Sequence, residues 1–193
     1  MMERLSLVLK AIDAVNANDP VSTAVDGAPI PRAVLYGQRM SAVLATFHPH
    51  ASDALQIAAR AQHIERWIVP RQSYPEGRIA YLKWRKDLQR HHAARAGSLM
   101  RDLGYSADEI ARVSALLRKE RLKFDADAQA LEDVICLVFL QYEAVDFISL
   151  HGDGKVRDIL AKTAAKMSPR GLEVASKLQL GERLARLLGE ALA

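Results

Sequence analysis

Several histidines and carboxylates of this chain fall at helical spacing on faces that otherwise read as buried. Leu55, Ala59, His63 and Trp67 recur at four-residue steps, and His92 shares a stripe with Leu88, Ala96, Leu99 and Leu103. Glu120 follows Val113 and Leu117 at steps of four and three, and Glu132 and Asp133 directly precede the apolar run from Val134 to Leu140. A buried carboxylate is costly unless paired or bound to a metal, and helical bundles build metal sites by delivering one His or carboxylate from each of several helices. His63, His92, Glu120 and Asp133 are therefore the candidate metal ligands. Imidazole and carboxylate together suit a divalent ion such as iron, manganese, zinc or magnesium. Each residue also has a plainer reading: a hydrogen-bonded core histidine, or a carboxylate paired with a nearby Arg or Lys.

A second group lies between Arg66 and Arg90. Arg66, Arg71, Arg78, Lys83, Arg85, Lys86 and Arg90 stand there against Glu76 and Asp87, with Trp67, Tyr74, Tyr81 and Trp84 interleaved. Guanidinium forks match phosphate or carboxylate, and aromatic faces can stack a base. Arg66, Arg71, Tyr74, Arg78, Lys83, Arg85 and, further on, Lys119 are the candidate substrate-binding residues, with an anionic small molecule or nucleotide as the expected partner. The competing reading is a solvated basic helix face with structural aromatics.

The elements that must position these residues are helical. Apolar residues recur every three or four positions, and Gly and Pro gather between the periodic segments. The spacing predicts helices over about 3–15, 32–47, 52–67, 78–103, 106–120, 125–150, 155–166 and 170–192, with a turn-rich stretch at 16–31. Gly104 fits a left-handed cap, and Ser106 with Glu109 forms a capping box. The expectation is an all-α compact multi-helix bundle. It reads as one domain over 1–193, with a core at about 32–150 and C-terminal helices at 155–192 packed on it.

Composition sets the outer bounds. Half of the 193 residues are hydrophobic and 26% charged, which is globular rather than disordered. The formal charge of +4 permits anionic partners, nucleic acid included, but is low for a dedicated nucleic-acid binder. The single cysteine, Cys136, cannot form an internal disulfide and reads as a small buried hydrophobe. The N-terminus lacks the apolar stretch of a signal peptide, and the longest apolar run is too short to span a bilayer. The expected location is cytoplasmic, with no membrane partner.

LysMetSerProArgGly at 166–171 looks like the start of a class I aminoacyl-tRNA synthetase signature. That enzyme class needs a Rossmann fold and a histidine-rich partner motif, and neither is present. Ser168-Pro169 reads instead as a stop between two helices.

The runs GlnHisIleGluArgTrp (62–67), ProArg (70–71), TyrPro (74–75), GlyArg (77–78) and TyrLeuLysTrpArg (81–85) resemble the domain-of-unknown-function family 4202. The resemblance continues in HisAla (92–93), LysGluArgLeuLys (119–123), LeuGluAspVal (131–134), CysLeuValPheLeu (136–140) and LysMetSer (166–168), and so covers nearly the whole chain. That family implies no activity. The order of helices is also loosely similar to the HD superfamily of metal-dependent phosphohydrolases. On that resemblance His63 and His92 take histidine-ligand roles, Glu120 stands where another His would fall, and Asp133 stands at the late Asp. Ile64 replaces the paired Asp, with Glu65 one step on, and no His opens the second helix, where Tyr36, Gln38 and Arg39 stand.

The function expected from the residues and the HD likeness together is a metal-dependent hydrolase of a small phosphorylated or nucleotide-like substrate. A bound ion would activate water, the basic residues would neutralise the substrate, and Glu65 or Glu132 would accept a proton. The alternatives are a di-iron oxygenase of the HD-like type, or a non-catalytic module binding RNA or protein through segment 66–90.

Overall fold

The computed structural model describes residues 3–122 and 124–192; Lys123, the last residue of the LysGluArgLeuLys motif, lies outside them. The fold is all-α. Helices α1 (Arg4–Asn16), α2 (Arg32–Phe47), α3 (Asp53–Arg60), α4 (Arg78–Asp102) and α5 (Ala107–Leu117) are followed by α6 (Ala126–Val138). Then come α7 (Ala144–Ser149), α8 (Asp153–Ala164), α9 (Pro169–Ser176) and α10 (Glu182–Leu192). A π-helical turn, Phe139–Glu143, joins α6 to α7. By internal packing the chain divides into two compact units, Met1–Ala128 and Gln129–Ala193, so the boundary falls inside α6.

In the first unit α3 packs against α1, α2 and α5, and α4 packs against α5. The composition of α3 explains its place. Leu55, Ile57, Ala58 and Ala59 are essentially inaccessible, and the small alanines let neighbouring helices come close. Gly37 does the same for α2, since a Cβ there would lie 2.9 Å from the Arg60 carbonyl oxygen. Arg60 then locks the junction. Its Nε and Nη2 donate to Asp13 Oδ1 and Oδ2 of α1, both at 2.9 Å, and its Nη1 donates to the Gly37 carbonyl at 3.3 Å.

The second unit is built on α7, α8 and α10. Arg183 of α10 donates to Asp153 at the start of α8 and to the carbonyls of Ile148 and His151, which fastens the α7–α8 turn. Arg186 adds a second guanidinium on Asp153, and the two together hold that carboxyl below its ordinary range.

The structure differs from the sequence expectation in the π-helical turn that interrupts the helix expected over 125–150 and in the end of α5 at Leu117, short of Glu120. The stretch at 16–31 holds a β-hairpin, β1 (Ser22–Val25) antiparallel to β2 (Ala28–Pro31), with Val25 opposite Ala28. Its turn is Asp26-Gly27, both left-handed (φ 49° and 81°), the pair that a two-residue hairpin favours. The helix expected over 52–67 stops at Arg60. In a continuing helix the Glu65 N–H would bond to the Ala61 carbonyl, but here it donates to Asn16 Oδ1 of α1 at 3.2 Å. Glu65 takes a left-handed conformation (φ 50°), and a short 3-10 turn, Arg66–Ile68, follows. The helix expected over 170–192 is two helices, α9 and α10, parted at 177–181.

Candidate functional site

The turn at 61–65 places His63. It leaves α3 with Ile64 fully buried on one side, so His63 faces the other, against α2. Tyr36 lies on the buried stripe of α2 with Met40 and Leu44, beside Gly37. The Tyr36 and His63 rings stack with centroids 3.6 Å apart and 15° between planes. From α4, His92 brings its ring to 6.3 Å from that of His63, and His91 lies 6.2 Å from His92. Two helices and one turn therefore bring Tyr36, His63 and His92 together.

The surroundings of the histidine pair are cationic. Burial, with the positive charges of Arg66, Arg85 and Lys119 and the neighbouring His92, holds His63 well below its ordinary value. Burial, Arg66 and His91 push His92 down to about 3. Both rings are neutral at physiological pH, and each then offers one N–H donor and one acceptor. His92 is only 2% exposed, and among the described residues its Nε2 has no hydrogen-bond partner. Gln62, next to His63, is also buried with its Oε1 unpartnered. A buried polar atom left unpaired costs about 1–3 kcal/mol, so it marks a place where a ligand or water completes the structure.

Glu65 forms a latch behind the pair. Its Oε2 lies 3.1 Å from His91 Nε2, and its Oε1 accepts from Arg95 Nε at 3.0 Å. The carboxylate is therefore committed to two partners on α4. Its backbone is left-handed there, just beyond the end of α3.

The basic segment separates into two groups. Arg66, Arg85 and Lys119 are the cations whose fields reach His63, and Arg66 also lies over the Trp84 ring at 4.9 Å. Arg71, Tyr74 and Lys83 fasten the loop that leads into α4. Arg71 Nη1 donates to the carbonyls of Tyr74 and Pro75 at 2.8 and 2.9 Å. Tyr74 Oη and Lys83 Nζ both donate to Asp87 Oδ2, at 3.0 and 2.7 Å, and hold that carboxyl below its ordinary range. Trp84 Nε1 closes the same loop by donating to the Val69 carbonyl at 2.9 Å. Arg78 is exposed at the first residue of α4.

The remaining candidates do not join the histidine pair. Glu120 follows the end of α5, is exposed, and pairs with Arg118 at 3.0 Å. Asp133 belongs to the second unit, where Oδ1 accepts the Ser168 N–H at 2.7 Å and Oδ2 accepts its hydroxyl at 2.6 Å. Ser168 in turn caps α9, accepting the Gly171 N–H at 3.0 Å. A Cβ on Gly171 would lie 2.6 Å from Asp133 Oδ1, so glycine is required there. The run SerProArgGly is thus a helix start seated on a buried carboxylate. Glu132, also buried, precedes Asp133 on α6.

Among the described residues, no group of three or more His, Cys, Asp or Glu side chains is placed to hold a metal ion. The donor set around His63 and His92 does not fit a divalent ion. Arg66 lies in reach of both rings and Arg85 and Lys119 of His63, and the nearby Glu65 carboxylate is taken by His91 and Arg95. Glu65, a candidate proton acceptor from sequence, is placed in the latch with His91 and Arg95. Gln62, His91 and Arg95 are not candidates from sequence, and Tyr36 enters there only as a residue standing where the HD-like order would have a His.

The family described as Domain of unknown function (DUF4202) matches residues 6–188, and the chain belongs to that family. No curated protein and no solved structure matches the chain. Among the described residues no helix is long and apolar enough to cross a membrane.

Proposed function

We propose that this DUF4202 member binds a small phosphorylated or nucleotide-like molecule at the Tyr36–His63–His92 cluster. The observation that carries the reading is the Nε2 of His92, unpartnered among the described residues and buried beside His63, with Arg66 in reach of both rings and Arg85 and Lys119 of His63. Cations converging on neutral imidazoles favour an anion over a metal ion. A neutral imidazole can donate its N–H to a phosphoryl oxygen, and guanidiniums can neutralise the charge. Hydrolysis is a further step within this reading, and for it Glu65 would first have to leave its partners His91 and Arg95.

The test is calorimetric titration of the protein with inorganic phosphate and with nucleoside monophosphates. Saturable binding, weakened at least about tenfold by Arg66→Gln combined with Arg85→Gln, supports the reading. Binding that is absent, or unchanged in that variant and in His92→Phe, rejects it. Release of phosphate from bound monoesters, followed with and without added manganese or magnesium, then separates a hydrolase from a binding protein.

A second reading has one observation of its own. Ile79 is 87% exposed at the start of α4, with Leu82 and Ile68 also exposed and Arg78 and Lys86 beside them. Such a basic and apolar face suits a module that docks on a larger acidic partner. Arg78→Gln with Lys86→Gln would abolish that docking, while His63→Ala and His92→Ala would leave it intact. Arg71 is unsuitable for this test because it holds the loop.

A further inference from the structure

A second cationic site lies on another face of α4. Arg90, Ala94, Gly97 and Arg101 follow one another at steps of four, three and four, which places them on a single stripe. Ile110 and Ser114 of α5, with Arg118 just past its end, continue at steps of four. The two sets, with Ala93, line a cavity of about 200 Å³. Its floor exists because the α4 residues are small. Gly97 lets the helices approach until a Cβ there would lie 3.1 Å from Ile110 Cγ2.

The lining joins three arginines and one serine with a small apolar set, and among the described residues no carboxylate belongs to it. Arg90 and Arg118 each hold one carboxylate outside the cavity, the half-buried Asp87 at 3.2 Å, which Lys83 and Tyr74 also hold, and the exposed Glu120 at 3.0 Å. An exposed pair such as Arg118–Glu120 contributes little and exchanges readily for a better anion. We infer that the α4–α5 groove lined by Arg90, Arg101, Arg118 and Ser114 is a phosphoryl-binding site, separate from the histidine cluster. The volume suits a phosphate group rather than a drug-sized ligand, whose pockets start at roughly 300 Å³. Guanidinium forks bind phosphoryl oxygens in pairs, and the Ser114 hydroxyl can donate to a further one.

The test is nitrogen–proton NMR of the whole chain titrated with inorganic phosphate, against chloride at matched ionic strength. The expected result is saturable movement of the Arg90, Arg101 and Arg118 Nε–H signals and of the Gly97 and Ser114 amides. Arg101→Gln with Arg118→Gln should weaken it at least about tenfold. Both side chains are exposed, so the variant keeps its core. Glu120→Gln, which removes the competing carboxylate of Arg118, should tighten it. Arg66→Gln with Arg85→Gln should leave these signals unchanged, so failure here is distinct from failure at the histidines. Movement that does not saturate, that chloride reproduces, or that survives Arg101→Gln with Arg118→Gln overturns the assignment.

Discussion

The Tyr36 ring stacks face to face on His63, 3.6 Å between centroids, so the turn that ends α3 is held against α2 by one aromatic pair. Gly37 and Arg60 bring the two backbones together, and the stack fixes the imidazole plane. Tyr36→Ala should destabilise the chain by about 3 kcal/mol and Tyr36→Phe by about 1 or less, measured by urea unfolding. The His63 ring protons should also lose an upfield ring-current shift in Tyr36→Ala and keep it in Tyr36→Phe. Equal shifts in both variants would reject the stack.

Glu65 holds α4 from a left-handed backbone position, with one oxygen on His91 and one on Arg95. Glu65→Gln keeps the shape and loses the charge, which should cost about 1–2 kcal/mol. Glu65→Gly relieves the backbone but loses the latch, so its deficit should be of similar size despite the easier φ. If Glu65→Gly proves more stable than the parent chain in thermal unfolding, the latch contributes nothing.

His92 has a folded-state value pushed down to about 3 from 6.5, and His63 is lowered in the same direction. The unfolded chain therefore binds more protons than the folded one below pH 6.5. The contribution of His92 is fully present above that pH and is lost as the pH falls towards 3, by up to about 1.4 kcal/mol per pH unit. Asp125 adds to the loss at the acid end. Its partner Arg112 holds it at about 2, so its contribution is complete above 3.8 and is lost as pH falls from there through about 2. Urea midpoints between pH 7 and pH 4 should fall less steeply in His92→Phe than in the parent. An identical slope would mean that His92 titrates normally.

In the second unit Asp133, Ser168 and Gly171 form one contact set. Gly171→Ala should cost about 1–3 kcal/mol, because the new methyl meets Asp133 Oδ1. Asp133→Ala should cost a similar amount by stranding the Ser168 N–H and hydroxyl. The double variant should be less damaged than the sum, since removing the carboxylate makes room for the methyl. Strict additivity in denaturant unfolding would separate the two residues.

Much of the helical order is legible in the sequence, because it follows from local rules. The bounds of α2, the start of α4, the capping box at Ser106 and the left-handed Gly104 are set by neighbouring residues alone. The Asp26-Gly27 hairpin is equally local, yet its strands are four residues each and the second, Ala28–Pro31, carries two prolines. The end of α3 is another matter. It depends on Asn16, distant in sequence, taking the N–H that a longer helix would use, and no window around His63 contains that fact.

The candidate site divides along the same line. Residue types and spacing alone placed His92 on a buried stripe of α4 and marked Arg66, Arg85 and Lys119 as cations, whereas the helix that spacing gave His63 ends at Arg60. Only the tertiary structure decided which candidates meet. It stacked His63 on Tyr36, left His92 Nε2 without a partner among the described residues, sent Glu120 to Arg118 and spent Asp133 on the cap of α9. The physical reason is that periodicity places a side chain on a face, whereas pairing depends on which distant carboxylate, amide or ring the packed chain brings within about 3 Å of it.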